Sequence, residues 1–375
     1  MIFRRLLSQG LLGVLMAGAS SLTGVAFAEE NKAGCSLTAE DGKRLMAEAL
    51  AKRKPSAALG RANGIAAMAT QLPRSVDLQG VFPPPGDQGS IGSCTAWAIA
   101  YASMSEYWGG KIGNWNLLDT GRQFSPLWLY NQLPKASNGG TSPIDALNLV
   151  SQKGCDTLWN FNPPPDTWVN TGGGWVHLYP DPTTVMPDQS SFQRALRYRA
   201  GYTPIYTIAN NSKNDLAGIK SALNAGKGVM MSVSIRPDFD NLSYYNMIYD
   251  DISGSVRGAH EICLIGYDDD KGIFKFINSW GQTRWGLNGY GYAAYGLVEN
   301  TQIFWLPFCF TDDLYLSGSV ASGVNDGMGS NYATVEFSNG STSAGTYELC
   351  AHGSVVLKPG VVISGNNATC WIHNN

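Results

Sequence analysis

A cysteine that opens a helix stands where unsatisfied backbone N–H groups and the helix dipole favour its thiolate, the form that attacks carbonyl carbon. Residues 88–97 read QGSIGSCTAW and supply that arrangement. Cys94 follows a stretch too glycine-rich to be helical and precedes Ala96, Ile99, Ala100, Ser103 and Met104, whose spacing predicts a helix running towards Tyr107 with one face in a core. A nucleophilic thiol needs a base, and the base needs a group to orient it. The chain has four histidines, and one of them, His260, lies in GAHEICLIGYDDD, which reads as a buried strand with its turn. Downstream, Phe274, Phe276 and Asn278 alternate in FKFINSWG, predicting a second strand that ends at the asparagine. Adjacent strands bring imidazole and carboxamide together, with Trp280 placed to shield the bond between them.

At these residues the sequence resembles the papain-like cysteine peptidases, over roughly residues 72–310. The pieces arrive in family order: LPRSVDL, the Gln88-to-Cys94 segment, the SNGG turn at residues 137–140, the His260 strand, then NSWG and WGLNGYG. The resemblance implies an α+β fold of two parts, a helical left half carrying Cys94 and a right half of antiparallel strands carrying His260 and Asn278, with substrate in the cleft between. It implies Cys94 as nucleophile, His260 as base and then acid, Asn278 as orienter, and Gln88 with the Cys94 backbone N–H as oxyanion donors. Asn138, Gly139 and Gly140 would hydrogen-bond the substrate backbone. Ala259 and Ser234 would line an open specificity pocket. The reaction implied is peptide hydrolysis through a thioester, with no cofactor and no metal. The same layout also fits acyl transfer to an amine, and a catalytically silent papain-like binding protein is the non-enzyme reading, disfavoured because neither Cys94 nor His260 is substituted.

The chain departs from the family pattern in places. Ile91 stands where many members have a cysteine, Thr95 replaces an aromatic residue, and the long interval from Cys94 to His260 implies an insertion. The Trp-, Pro- and Gly-rich residues 158–191, which include His177, are expected to form it as an irregular loop.

Elements outside this region say where the protein works. Arg4 and Arg5, an apolar small-residue stretch and Ala26-Phe27-Ala28 before Glu29 read as a secretory signal over residues 1–28, so the mature chain is expected to be exported, extracellular or periplasmic, without a membrane span. Residues 29–71 are a pro-region or linker, with helical spacing of Leu45, Met46, Ala49 and Leu50 within residues 41–54. From about Thr311 the composition turns to Gly, Ser and Asn with alternating apolar residues, which predicts a small β module over residues 311–375. Exposed aromatics there, such as Tyr347 and Trp371, are candidates for contact with a surface or polymer, and His352 and His373 read as surface polar residues. A net charge of −3 with no basic run gives no electrostatic case for nucleic acid. Of the seven cysteines, Cys350 and Cys370 form the candidate disulfide, across a hairpin-like interval. Cys263, in an apolar strand, reads as a buried free thiol, whereas Cys155 and Cys309 are undecided.

Overall fold

Every residue of the strand Val229–Ile235 is buried, and a strand can bury all its side chains only when both faces of its sheet are covered. That constraint organises the fold. The computed structural model describes residues 33–51, 72–113, 116–163, 168–170, 175–177, 181–205, 213–283, 285–312, 328–330, 346–352 and 369–374; the leader reading of residues 1–28 lies outside them. Among the described residues ten strands precede Asp312: β1 Ser75–Asp77, β2 Trp168–Asn170, β3 Trp175–His177, β4 Gly201–Pro204, β5 Val229–Ile235, β6 Ile248–Tyr249, β7 Gly258–Asp268, β8 Ile273–Ile277, β9 Tyr290–Ala294 and β10 Phe304–Thr311. The main sheet runs β4-β10-β5-β7-β8-β9-β6, with β1 on β7, and only β6 and β9 pair in parallel. Alternation along β5 then sorts the core: Val229, Met231, Val233 and Ile235 join Phe239, Ile262, Phe274, Phe276 and Phe304 on one face. Met230 on the other face meets Ile99, Met104, Trp128, Leu147, Phe308 and Phe310 of the helical half.

The helical half has a continuous helical run, α2, in three segments, Cys94–Ala96, Trp97–Met104 and Ser105–Ile112. The expected helix is present, but its middle segment is wound as a π-helix. Residues Ala98, Ile99, Ala100, Tyr101, Ala102, Ser103 and Met104 are all buried, so the helix is apolar on every side and not amphipathic as its spacing predicted. Two shorter helices pack beside it, α3 Pro126–Asn131 and α4 Pro143–Lys153, each opened by a serine, Ser125 or Ser142, whose hydroxyl accepts an N–H of the first turn and is followed by proline. Ahead of all these, α1 Ala39–Ala51 overlaps the stretch 41–54 predicted to be helical. Thr38 and Asp41 cap it reciprocally, each side chain accepting the other's backbone N–H.

The stretch 158–191, expected to be an irregular loop, is not wholly so: β2 and β3 form a short antiparallel pair within it. Beyond Thr311 the strands β11 Met328–Ser330, β12 Thr346–His352 and β13 Thr369–Asn374 pair in parallel, with Cys350 opposite His373 and Cys370 opposite Tyr347. A hairpin between β12 and β13 is therefore not what separates the two cysteines. Their side chains, and those of Tyr347 and Trp371, lie outside the described residues. Cys35, Cys94, Cys155, Cys263 and Cys309 are all free and buried. Among the described residues no helix is long and apolar enough to cross a membrane.

One aromatic stack fixes the sheet face from which His260 projects. Phe239 lies 5.9 Å from the His260 ring, 5.4 Å from Trp280, 5.2 Å from Trp285 and 5.8 Å from Phe276, measured between centroids. Phe239→Ala should cost about 3–5 kcal/mol of stability through the cavity it leaves. A urea-unfolding midpoint unchanged from the parent would show that the stack does not support the fold.

Candidate active site

The elements converge on the start of α2. β7 carries His260 and β8 ends just before Asn278; the two strands pair antiparallel, Cys263 opposite Ile277, so the two side chains meet across the strand ends. His260 Nε2 and Asn278 Oδ1 are 2.7 Å apart. Asn278 Oδ1 also accepts the Ser279 N–H at 2.8 Å, which identifies that atom as the carbonyl oxygen. Nε2 is then the donor, and Nδ1 carries the lone pair. Nδ1 has no hydrogen-bond partner. Trp280 covers the imidazole with a ring separation of 4.7 Å.

The loop before α2 is clamped to the same strand end. Gln88 N donates to Ser279 O at 2.8 Å and Gly281 N to Gly86 O at 2.9 Å. The Gln88 side chain is held too: Oε1 accepts from Ser279 Oγ at 2.6 Å, and Nε2 donates to Ile91 O at 2.8 Å. Cys94 packs against β7, and its sulfur accepts from the backbone N–H groups of Glu261, Gly34 and Thr95. Asn138 Oδ1 accepts the Gly140 N–H at 2.9 Å, and Tyr130 Oη donates to Gly139 O at 2.8 Å, so the glycine turn is rigidly held.

The N-terminal segment ahead of α1 lies across this constellation, a feature the sequence did not foretell. Cys35 N donates to Ala259 O at 3.1 Å, Ser36 N to Thr141 O at 3.1 Å, and Thr141 N to Gly34 O at 2.9 Å. The segment is thus a strand bridging the two halves. A Cβ on Gly34 would overlap the Gly92 carbonyl, and one on Gly92 would press on the Gly139 carbonyl. Glycine is required because three backbones touch here.

Burial sets the electrostatics. Cys94 and His260 are both fully buried. Desolvation pushes the Cys94 thiol up to about 12, against its backbone hydrogen bonds. It also depresses His260 to about 4, against the hydrogen bond that the imidazole donates to Asn278. The thiolate expected from the helix start is therefore not the favoured form in this closed arrangement.

The remaining predicted residues are nearby. Ala259 offers its carbonyl to Cys35, and Ser234 lies opposite Ala259 in the β5–β7 register. Two residues not singled out from the sequence also reach the cleft. Cys35 Sγ lies 3.8 Å from Ser232 Oγ, and Ser232 Oγ donates to Glu261 Oε2 at 2.5 Å. The signal for them was a charged residue inside the otherwise apolar strand after His260. Among the described residues no group of three His, Cys, Asp or Glu side chains is placed to hold a metal ion.

The chain is 26% identical over 241 residues to an uncharacterized peptidase C1-like protein of Acanthamoeba polyphaga mimivirus, covering 61% of this chain and 70% of that one. It is 29% identical over 222 residues to the gamete and mating-type specific protein A of Dictyostelium discoideum, covering 58% of this chain but only 41% of the relative. In structure it is similar to xylellain, a cysteine protease from Xylella fastidiosa, with TM-score 0.53 and 22% identity, covering 65% of this chain and 88% of xylellain. That likeness is one of fold. The profile of the papain family cysteine proteases matches residues 72–304, more than half of the sequence, and the chain belongs to that family.

Proposed function

We propose that the chain is the self-blocked precursor of an exported cysteine endopeptidase, with Cys94 as nucleophile, His260 as base and acid, Asn278 as orienter and Gln88 as oxyanion donor. The observation that carries the reading is the fixed imidazole: Asn278 holds Nε2 as donor and leaves the Nδ1 lone pair without a partner. Nδ1 takes the Cys94 proton, and the thiolate adds to the substrate carbonyl. The Gln88 side-chain amide and the Cys94 backbone N–H receive the oxyanion, the imidazolium protonates the leaving amine, and water activated by His260 releases the acyl group. The signal-like residues 1–28 support export.

Gly34, whose backbone lies against the Cys94 thiol in this closed state, gives its carbonyl to the Thr141 N–H and not to the oxyanion donors, so the strand occupies the cleft without presenting a bond for attack. Its removal rehydrates both catalytic groups, which lowers the Cys94 pKa and raises that of His260 until the ion pair forms.

In the full-length chain, Gly34→Val cannot keep the strand seated against Gly92. Turnover of short fluorogenic peptides and iodoacetamide labelling of Cys94 should both rise about tenfold or more, since the competing closed state is depopulated. Cys94→Ala in the same background should fold and be inactive; activity persisting there would sink the mechanism.

Also in that background, Gln88→Ala should lower turnover about a hundredfold while Cys94 alkylation stays near normal, because alkylation forms no oxyanion. Parallel collapse of both rates would mean that Gln88 holds the loop and not the oxyanion.

A further inference from the structure

The strand that blocks the cleft also shows how the cleft receives a side chain. Cys35 is backbone-paired on both sides, to Ala259 and to Thr141, and its side chain enters the space between the two halves, 2% exposed. The wall it meets is polar. Ser232 and Glu261 are directly opposite each other in the β5–β7 register, so both project from the same sheet face, the one facing α2 and opposite to that of His260. Glu261 is 2% exposed. Its Oε2 accepts from Ser232, and its Oε1 has no partner. Among the described residues it has no ion-pair partner, unlike the buried carboxylate of Asp156, which pairs with Arg194 at 2.9 Å.

Resting on the peptidase reading above, we infer that Glu261, with Ser232, forms the acidic floor of the pocket now filled by Cys35 and selects substrates that place a lysine or arginine side chain there. A buried carboxylic group with one unused oxygen is costly to maintain, and the neutral thiol lodged above it satisfies little: Cys35 Sγ stops 3.8 Å from Ser232 Oγ. Burial pushes the Glu261 carboxyl up to about 8, so under this uncharged occupant it remains largely protonated at neutral pH. A lysine carries its ammonium on a four-carbon stem, far enough to pass the position of the cysteine sulfur and reach the carboxyl. Cation binding ionises the acid, fills the unused acceptor with a charge-assisted hydrogen bond, and leaves Ser232 to hold the other oxygen. An apolar side chain of the same length leaves Oε1 unpaired, and a site with an unpaired buried polar group rejects such an analogue strongly. Cys35 is thus a neutral placeholder, suited to a segment that must eventually leave.

The test uses the full-length Gly34→Val protein and two peptidyl halomethyl ketones that differ only in lysine or norleucine at the position of the Cys35 side chain. The measured quantity is the ratio of their rates of Cys94 alkylation, followed by mass spectrometry. A ratio of about ten or more for lysine is expected, falling towards one in Glu261→Gln. Norleucine equal to or faster than lysine, with Cys94 still labelled by iodoacetamide, overturns the inference and leaves the peptidase reading standing. Iodoacetamide labelling no faster than in the parent chain removes the peptidase reading, and the inference with it. Should Glu261→Gln fail to fold, the ratio in the Gly34→Val protein decides alone.

Discussion

The close approach of three glycine backbones, Gly34 on Gly92 and Gly92 on Gly139, is the constraint on which the rest of the site depends. Only where no Cβ intervenes can an extended segment lie flat enough to hydrogen-bond Ala259 on the sheet side and Thr141 on the helical side together. That contact lays the segment across the cleft, where Cys94 and His260 are both fully buried. The strand is short, but α1 anchors it: Leu37, Ala39 and Leu45 pack against the helical core, and Gly42 lies against the Trp305 ring. On the proposed reading, the apolar face of α1 supplies the anchoring area, and the glycine-bearing strand ahead of it does the blocking.

Magnitudes decide between two opposing effects on the nucleophile. A helix N-terminus favours an anion by roughly 0.3–1 kcal/mol, and by up to about 2 kcal/mol in well-placed buried cases. Desolvation moves the Cys94 thiol from 9.0 to about 12, and at about 1.4 kcal/mol per unit this is of the order of 4 kcal/mol against the thiolate. Burial wins. The helix start is also a weak dipole source here, because only Cys94–Ala96 is α-helical before the π-helical segment begins. An active form of this site therefore depends on water reaching the sulfur more than on the helix behind it.

Much of this was legible in the sequence, for identifiable reasons. The antiparallel pair β7–β8 followed from alternation in ICLIG and FKFIN, and its register places His260 beside Asn278. The α1 helix followed from the spacing of Leu45, Met46, Ala49 and Leu50. The π-helical winding did not, since a helix buried on all sides has no polar face whose period can be read. The irregularity in β10 between Trp305 and Phe308 had a visible cause in Pro307, which lacks the ladder N–H; Leu306 beside it adopts a φ of 55°. The seating of Gly34–Ser36 in the cleft was not legible, because it depends on contacts with Gly92, Thr141 and Ala259, each far away in the chain. Ser234 was singled out for the pocket, whereas Ser232, two residues earlier on the same face of β5, is the one in contact with Cys35.

That two-residue difference links chemistry to selection. In a strand, neighbouring side chains point to opposite faces, so His260 and Glu261 cannot share an environment. His260 turns towards Phe239, Trp280 and Asn278, an aromatic enclosure that fixes its tautomer. Glu261 turns towards Ser232 and the segment in the cleft. On the proposed reading, one short stretch of β7 supplies the base on one face and the discriminating acid on the other, and Ala259 just before them supplies the carbonyl that aligns the peptide. A shift of β7 by one residue against β5 would exchange these roles and destroy both. The buried apolar residues Ile262, Leu264 and Met231, which lock that register through the core, are thus as necessary to selection and chemistry as the polar groups themselves.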